Sequence, residues 1–170
     1  MYVNQYDRTG ECGIRGQVVE DMFESWLIAN GKNYRKASLE EQFAHIDFVI
    51  WSEPQQKEIT VDLKAPKKVS RGNSWTQDEF IWVEFKNVQG LNGWLYGKND
   101  YLVFYKKDED LFYCVKTSDL AKLCEIICCK GRTENSKDAL YKRYTRKGRY
   151  DELSLIKFED LKKIEHYSFR

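Results

Sequence analysis

At 170 residues the chain is long enough to bury the core of one domain of ordinary size. With 42% hydrophobic and 15% aromatic residues it is no disordered tail, and no run of about 18 apolar residues offers a membrane span. The formal net charge of +1 excludes nothing by itself, but the charges are segregated: eight basic residues stand against two acidic ones between Lys130 and Tyr150, and the remainder is net acidic.

Met1 to Gly13 are polar and lack the apolar core of a secretion signal, so a cytoplasmic protein is expected. Cys12, Cys114, Cys124, Cys128 and Cys129 are odd in number and lack the spacing of a zinc site, so buried or half-buried free thiols are expected. Residues Ile14 to Asn30 read as a helix. Val18, Met22, Trp26 and Ala29 form its apolar stripe, flanked by Val19, Phe23 and Leu27, and Gly31 is its stop signal. Tyr34 to Glu41 reads as a short edge strand and a loop.

Phe43 to Trp51 reads as a strand buried on both faces. After the turn-rich Ser52 to Gln56, Lys57 to Ala65 alternates: Ile59, Val61 and Leu63 point one way, Thr60, Asp62 and Lys64 the other. Pro66 ends this strand. A basic loop, Lys67 to Asp78, precedes a third strand over Phe80 to Val88, and the glycines of GLNGWLYG then shape a turn. A hairpin follows, Tyr101 to Lys106 and Leu111 to Lys116. Ser118 is the expected cap of a helix from Asp119 to Cys129. A basic arm over about 130–150, a strand from Leu153 to Phe158 and a short helix from Glu159 to Ile164 complete the chain. With no repeat and no linker, residues 1–170 read as a single domain.

The residues that carry chemistry are Glu20, Asp47, Asp62 and Lys64. Asp62 and Lys64 stand two apart on a strand and share a face. Asp47 lies on the preceding strand, where it can project beside Asp62, and Glu20 lies in the N-terminal helix. Gathered carboxylates repel one another unless one takes up a proton or a cation sits between them. A hard ion such as Mg²⁺, with Mn²⁺ as a substitute, resolves that conflict and keeps several waters. A lysine beside it orients or deprotonates a water and stabilises charge on a phosphate, chemistry that suits phosphodiester hydrolysis.

The order of helix Glu20, HIDFVI with Asp47, and ITVDLKAP with Asp62 and Lys64 resembles the PD-(D/E)xK nuclease superfamily. The likeness continues through WVEFKNVQGLNGWLYGKNDYLVFY, a stretch similar to uncharacterised phage-type members. It implies a restriction-endonuclease-like α/β core, with a mixed central β-sheet flanked by helices, and Mg²⁺-dependent cleavage of DNA by an activated water. By position it makes Asp47 and Asp62 metal ligands, Lys64 the catalytic lysine, and Glu20 the helix acid that binds metal or its water. The proline of the family's name is absent before Asp47, and the strand Phe80 to Val88 stands where a crossover helix is usual. A second register stays open, with Asp62 as first acid and Glu84-Phe85-Lys86 as the acid-x-lysine element; in either register Glu84 is a candidate ligand.

The interleaving of Tyr141, Tyr144 and Tyr150 with Lys142, Arg143, Arg146, Lys147 and Arg149 suits contact with nucleic-acid phosphates. Lys67, Lys68 and Arg71 extend the same expectation. The expected partner is DNA, with RNA and a homodimer left open and no membrane. The competing readings are a catalytically inactive DNA-binding module and a viral interaction protein on the same fold.

Overall fold

The computed structural model describes residues 10–69, 73 and 75–170. Its elements begin with α1 (Glu11–Ala29), β1 (Tyr34–Lys36), α2 (Leu39–Phe43), β2 (Phe48–Ser52), β3 (Lys57–Lys64) and β4 (Phe80–Lys86). The hairpin strands β5 (Tyr101–Lys106) and β6 (Leu111–Lys116) lead into α3 (Thr117–Ile127). Then come β7 (Arg132–Thr133), β8 (Arg143–Thr145), β9 (Glu152–Lys157) and β10 (His166–Phe169). The result is the expected mixed α/β fold. Among the described residues it contains two sheets, ordered β1-β2-β3-β5-β6-β10 and β4-β9-β8-β7. The chain divides into two compact units that interleave in sequence. The first holds the chain up to Ala65, Lys98–Cys114 and Ser168–Arg170; the second holds Pro66–Gly97 and Val115–Tyr167.

In the first unit β1, β2 and β3 pair antiparallel, whereas β3 pairs parallel to β5 through Val61↔Tyr101 and Leu63↔Val103, so the sheet is mixed. Parallel neighbours need a crossover, and here residues 65–100 supply it by way of β4. That strand, expected between β3 and the hairpin, belongs to the other sheet. The core joins Val19, Phe23 and Leu27 of α1 to Phe48, Ile50, Val61, Leu63, Val103 and Phe112. Val49 points the other way, against Ala37 and Ile46, so β2 is buried on both faces as expected. The helix stripe is rotated from the expected one: Val18 is 52% exposed and Val19 takes the core position. Strand β10, unforeseen because HYSF is too short to show a pattern, sends Phe169 onto Trp26 at a centroid distance of 4.3 Å.

Two helix ends in this unit share one geometry. At the end of α1 the Gly31 N–H donates to Ile28 O and the Lys32 N–H to Leu27 O, with Gly31 at φ 59. At the end of α2 the His45 N–H donates to Gln42 O and the Ile46 N–H to Glu41 O, with His45 at φ 61. Both are Schellman turns, in which glycine is the ordinary left-handed residue. Helix α2 stands where a loop was expected, and its closing turn takes up residues 44–47, so the strand expected from Phe43 starts only at Phe48. Ser38 and Glu41 form a reciprocal capping box there, and Arg35 grips both Glu41 oxygens at 2.7 Å.

The second unit is built on β4 and β9, antiparallel with Ile81↔Ile156 and Val83↔Ser154 in register. Ile81, Val83 and Phe85 are the buried face of β4. Gly93 is required by close approach: a Cβ there would lie 2.3 Å from the Glu84 carbonyl oxygen. Helix α3 starts earlier than expected, with Lys116 rather than Ser118 at its N-cap, and buries Leu120 and Cys124. Of the thiols, Cys124 and Cys128 are buried and Cys114 half-buried, but Cys12 and Cys129 are exposed, contrary to expectation.

Candidate active site

Asp47 sits at the entry to β2. Its N–H donates to Val61 O at 2.7 Å, its carbonyl accepts from the Ala37 N–H at 2.9 Å, and its Oδ2 accepts the Leu63 N–H at 2.7 Å. The side chain thus takes a place in the β3 ladder, which fixes the carboxyl beside Asp62. Asp62 is 3% exposed, and Lys64 Nζ lies 2.6 Å from each of its carboxylate oxygens. Period-two alternation puts both side chains on one face of β3, as expected from their spacing.

Glu20 follows the buried Val19 on α1 and is half-buried. Its carboxyl is pushed up to about 7, by burial first and then by the charge of Asp47, while Lys36 works in the opposite sense. Asp47 is likewise pushed up to about 7, by burial and by the Asp62 carboxylate, against the pull of Lys64 and the Leu63 N–H. The helix acid and the two strand acids therefore form one electrostatic cluster. His45 belongs to it as well. Burial and the Lys64 ammonium lower its pKa to about 4, against the Asp47 charge, so the imidazole is neutral at physiological pH. A flanking network, unforeseen in sequence, holds Lys36 Nζ 2.7 Å from Glu24, which also accepts from the Tyr34 hydroxyl. Its signal was the polar face that β1 turns toward the acidic turn of α1.

Among the described residues no three His, Cys, Asp or Glu side chains close on a common metal position. The donor set suits Mg²⁺ nonetheless. That ion is commonly held by one or two carboxylates and completes its octahedron with waters and substrate phosphate oxygens. Asp47 and Asp62 supply two carboxyl groups of that kind, and a divalent ion would replace the protons that Asp47 and Glu20 retain.

The remaining candidates lie in the second unit. Glu84 and Lys86 stand on β4, Glu84 half-buried and Lys86 exposed, in a different sheet from Asp62. Lys67 is exposed and its backbone bridges to Gln77, while the Lys68 carbonyl accepts from Trp82 Nε1 at 3.2 Å. Arg71 lies outside the described residues. In the basic arm, Arg143 stacks 3.3 Å above the Phe85 ring centroid. It also donates to Glu125 at 2.7 Å, to Glu152 at 3.1 Å and to the Cys128 carbonyl at 3.1 Å. Arg146 pairs with the buried Asp151. Two of the arginines expected to meet phosphates are thus held in internal ion pairs, Arg146 with the buried Asp151 and Arg143 with the half-buried Glu152 and the exposed Glu125. Lys147 is exposed, and Lys142 and Arg149 are half-buried.

No protein-family model matches the chain, and no curated protein matches it with significance. Among solved structures it is similar to a bacterial homing endonuclease, I-Ssp6803I, with a TM-score of 0.42 and 14% identity over 65% of this chain and 72% of that one. A likeness of that size assigns neither activity nor substrate.

Proposed function

We propose that the first unit is a metal-dependent nuclease centre that hydrolyses phosphodiester bonds in DNA. The observation that carries this reading is the Asp47–Asp62–Lys64 cluster: two carboxyls held together by the β2–β3 pairing, with an ammonium 2.6 Å from one of them. Glu20 adds a third acid whose proton is held by burial and then by the charge of Asp47. An ordinary solvated strand face would not keep Asp62 at 3% exposure. The choice of DNA rests on the resemblance to the PD-(D/E)xK superfamily.

In this reading Asp47 and Asp62 would hold Mg²⁺, with Mn²⁺ as a substitute, and the ion would supply polarisation of a phosphoryl oxygen and of the attacking water. Glu20 would help to hold the ion or its water. Lys64 Nζ donates to a non-bridging phosphate oxygen and opposes the negative charge that develops there. The Leu63 N–H fixes Asp47 Oδ2, so the free edge of that carboxylate keeps one direction without reorganisation.

The test is cleavage of supercoiled plasmid with Mg²⁺ or Mn²⁺, with and without EDTA. Asp47→Asn and Lys64→Gln are expected to lose cleavage by at least about a hundredfold, the scale seen when a preorganised charge is removed. Full activity in either variant, or cleavage that survives EDTA, overturns the reading. Intact plasmid together with salt-sensitive binding would favour the inactive binding module instead.

A further inference from the structure

We propose that the second unit carries a binding cleft for a nucleoside monophosphate, with the base lying flat on the Arg143 guanidinium and the phosphate held by Lys86 and Arg132. The residues that line this cleft all belong to the second unit, so the inference stands apart from the acid cluster of the first.

The cleft encloses about 340 Å³, at the lower end of the range for small-molecule sites. Its floor depends on an irregularity in β4. Consecutive strand residues point to opposite faces, yet Phe85 and Lys86 both line the cleft, because the β4–β9 register shifts between Glu84 and Lys86. A bulge re-aims a side chain in this way. Arg143 lies on the Phe85 ring, 3.3 Å from its centroid, and the edge of the guanidinium is committed to Glu125, Glu152 and the Cys128 carbonyl. A planar cation held by its edge and covered on one face has one face left, and Arg143 turns that face to the cleft. Bases stack on guanidinium planes as they do on aromatic rings. The Tyr96 ring, 37% exposed and tilted 60° from Phe85, forms a wall, and its hydroxyl is fixed by Glu125. Exposed Asn92 also lines the cleft, and its amide offers the donor and the acceptor that a base edge needs.

Charge selects the rest of the ligand. Lys86, Arg132 and Arg143 face two carboxylates in the cleft, and both carboxylates are taken. Glu125 bonds to Arg143 and to the Tyr96 hydroxyl, while the half-buried Glu152 bonds to Arg143 and Arg132. Lys86 stands opposite Glu152 in the ladder, and Arg132 reaches the same carboxylate with a side chain that is 73% exposed. One positive charge is in excess, and the two cations that meet water flank one end of the cleft. That arrangement suits a phosphate, which lysine binds as a point charge and arginine by its fork. A free mononucleotide and one nucleotide of an unpaired strand present the same chemistry.

The experiment is a calorimetric titration of the full chain in EDTA, so that neither cleavage nor a divalent ion enters. The four deoxynucleoside monophosphates are compared with their nucleosides, with deoxyribose 5-phosphate and with single-stranded hexamers. A mononucleotide is expected to bind at least about tenfold tighter than either its nucleoside or deoxyribose 5-phosphate, since charge and stacking each contribute on that scale. Lys86→Gln is expected to lose about tenfold for the mononucleotide and nothing for the nucleoside, and Asn92→Ala to weaken both. Lys122→Gln removes an exposed charge on α3 outside the cleft and should change neither. Binding of hexamers alone, weakened by Asn92→Ala and Lys86→Gln but not by Lys122→Gln, supports the cleft with a strand as the source. Deoxyribose 5-phosphate binding as tightly as the mononucleotides, equal losses in the two lysine variants, hexamer binding untouched by the cleft variants, or no binding of any probe overturns the proposal.

Discussion

The carboxylate of Asp47 accepts the backbone N–H of Leu63 at 2.7 Å, so a side chain stands where a strand carbonyl would close the ladder. That bond ties one acid to the strand bearing the next, Asp62, and brings like charges together whatever their repulsion. Burial first, and the neighbouring carboxylate after it, then make Asp47 and Glu20 both hold their protons to about 7.

Stability should therefore fall as pH rises. The unfolded chain releases these protons near pH 4, whereas the native chain keeps them to about 7, so the folded state binds more protons throughout that window. His45 works oppositely between about 4 and 6.5, where the unfolded imidazole is charged and the native one is not. Two acids outweigh one imidazole. Discounted for partial exposure and mutual coupling, a net loss of roughly 2 kcal/mol between pH 5 and 8 is expected from urea denaturation. Asp47→Asn should flatten the profile and raise the Tm at pH 8. Divalent ion displaces the same protons, so Mn²⁺ should raise the Tm more at pH 8 than at pH 6. A Tm shift independent of pH would contradict this account.

The Asp62–Lys64 pair sets the cost of probing the site. Lys64→Ala removes the ammonium from a carboxylate that is 3% exposed, and breaking such a pair costs about 3–5 kcal/mol. Lost cleavage in a Lys64 variant therefore bears on catalysis only where a melt shows the chain still folded. Asp62→Asn with Lys64→Gln keeps the shapes and removes both charges, and should lie within about 1.5 kcal/mol of the native chain. A double-mutant cycle by urea denaturation checks this, and additive single costs would show that the pair is not coupled.

His45 occupies a glycine's place. At the end of α2 it repeats the turn that Gly31 makes at the end of α1, with φ 61 against 59. A side chain in that conformation costs about 1 kcal/mol. His45→Gly should therefore stabilise the chain by up to about 1 kcal/mol, less whatever packing the half-buried ring contributes. His45→Ala keeps the strain and loses the ring, so it should be the least stable of the three. Thermal melts at pH 7.5, where the imidazole is neutral in both states, isolate this effect from titration. A glycine variant below the alanine variant would refute it.

Much of the first unit was legible because its signals are local. Residues 57–64 alternate, Gly31 stops a helix, and the hairpin bounds follow from turn residues at Asp108 to Asp110. The site was legible for the same reason: spacing two on a strand requires Asp62 and Lys64 to share a face. Residues 39–46 were misread because LEEQF is too short and polar to show a helical stripe and FAHI runs directly into the apolar strand, and only the Ser38–Glu41 capping box betrays the helix. The second sheet was hidden because β4 pairs with β9, about seventy residues on, and no local pattern encodes that partner. The basic arm misled for a related reason. Which arginines face solvent depends on Glu125, Asp151 and Glu152, and α3 and β9 must be placed before those acids can be matched to them.

Arg143 and Lys147 should accordingly behave in opposite ways. Arg143 is 16% exposed at its side chain, stacked on Phe85 and bound to Glu125, Glu152 and the Cys128 carbonyl. Arg143→Gln leaves the half-buried Glu152 with Arg132 as its remaining cation and should cost about 1.5–3 kcal/mol. Arg143→Lys should rescue only part of it, since an ammonium cannot match three acceptors and a ring at once. Lys147 is exposed, and Lys147→Gln should leave stability within about 0.5 kcal/mol. If the arm meets a phosphate backbone, that variant should weaken DNA binding at low salt and reduce the slope of log affinity against log salt by about one. Arg143→Gln, where still folded, should leave the slope unchanged because its charge is already spent on Glu125 and Glu152. A slope that drops with Arg143 and not with Lys147 would reverse the assignment and return the arginine to the nucleic-acid surface.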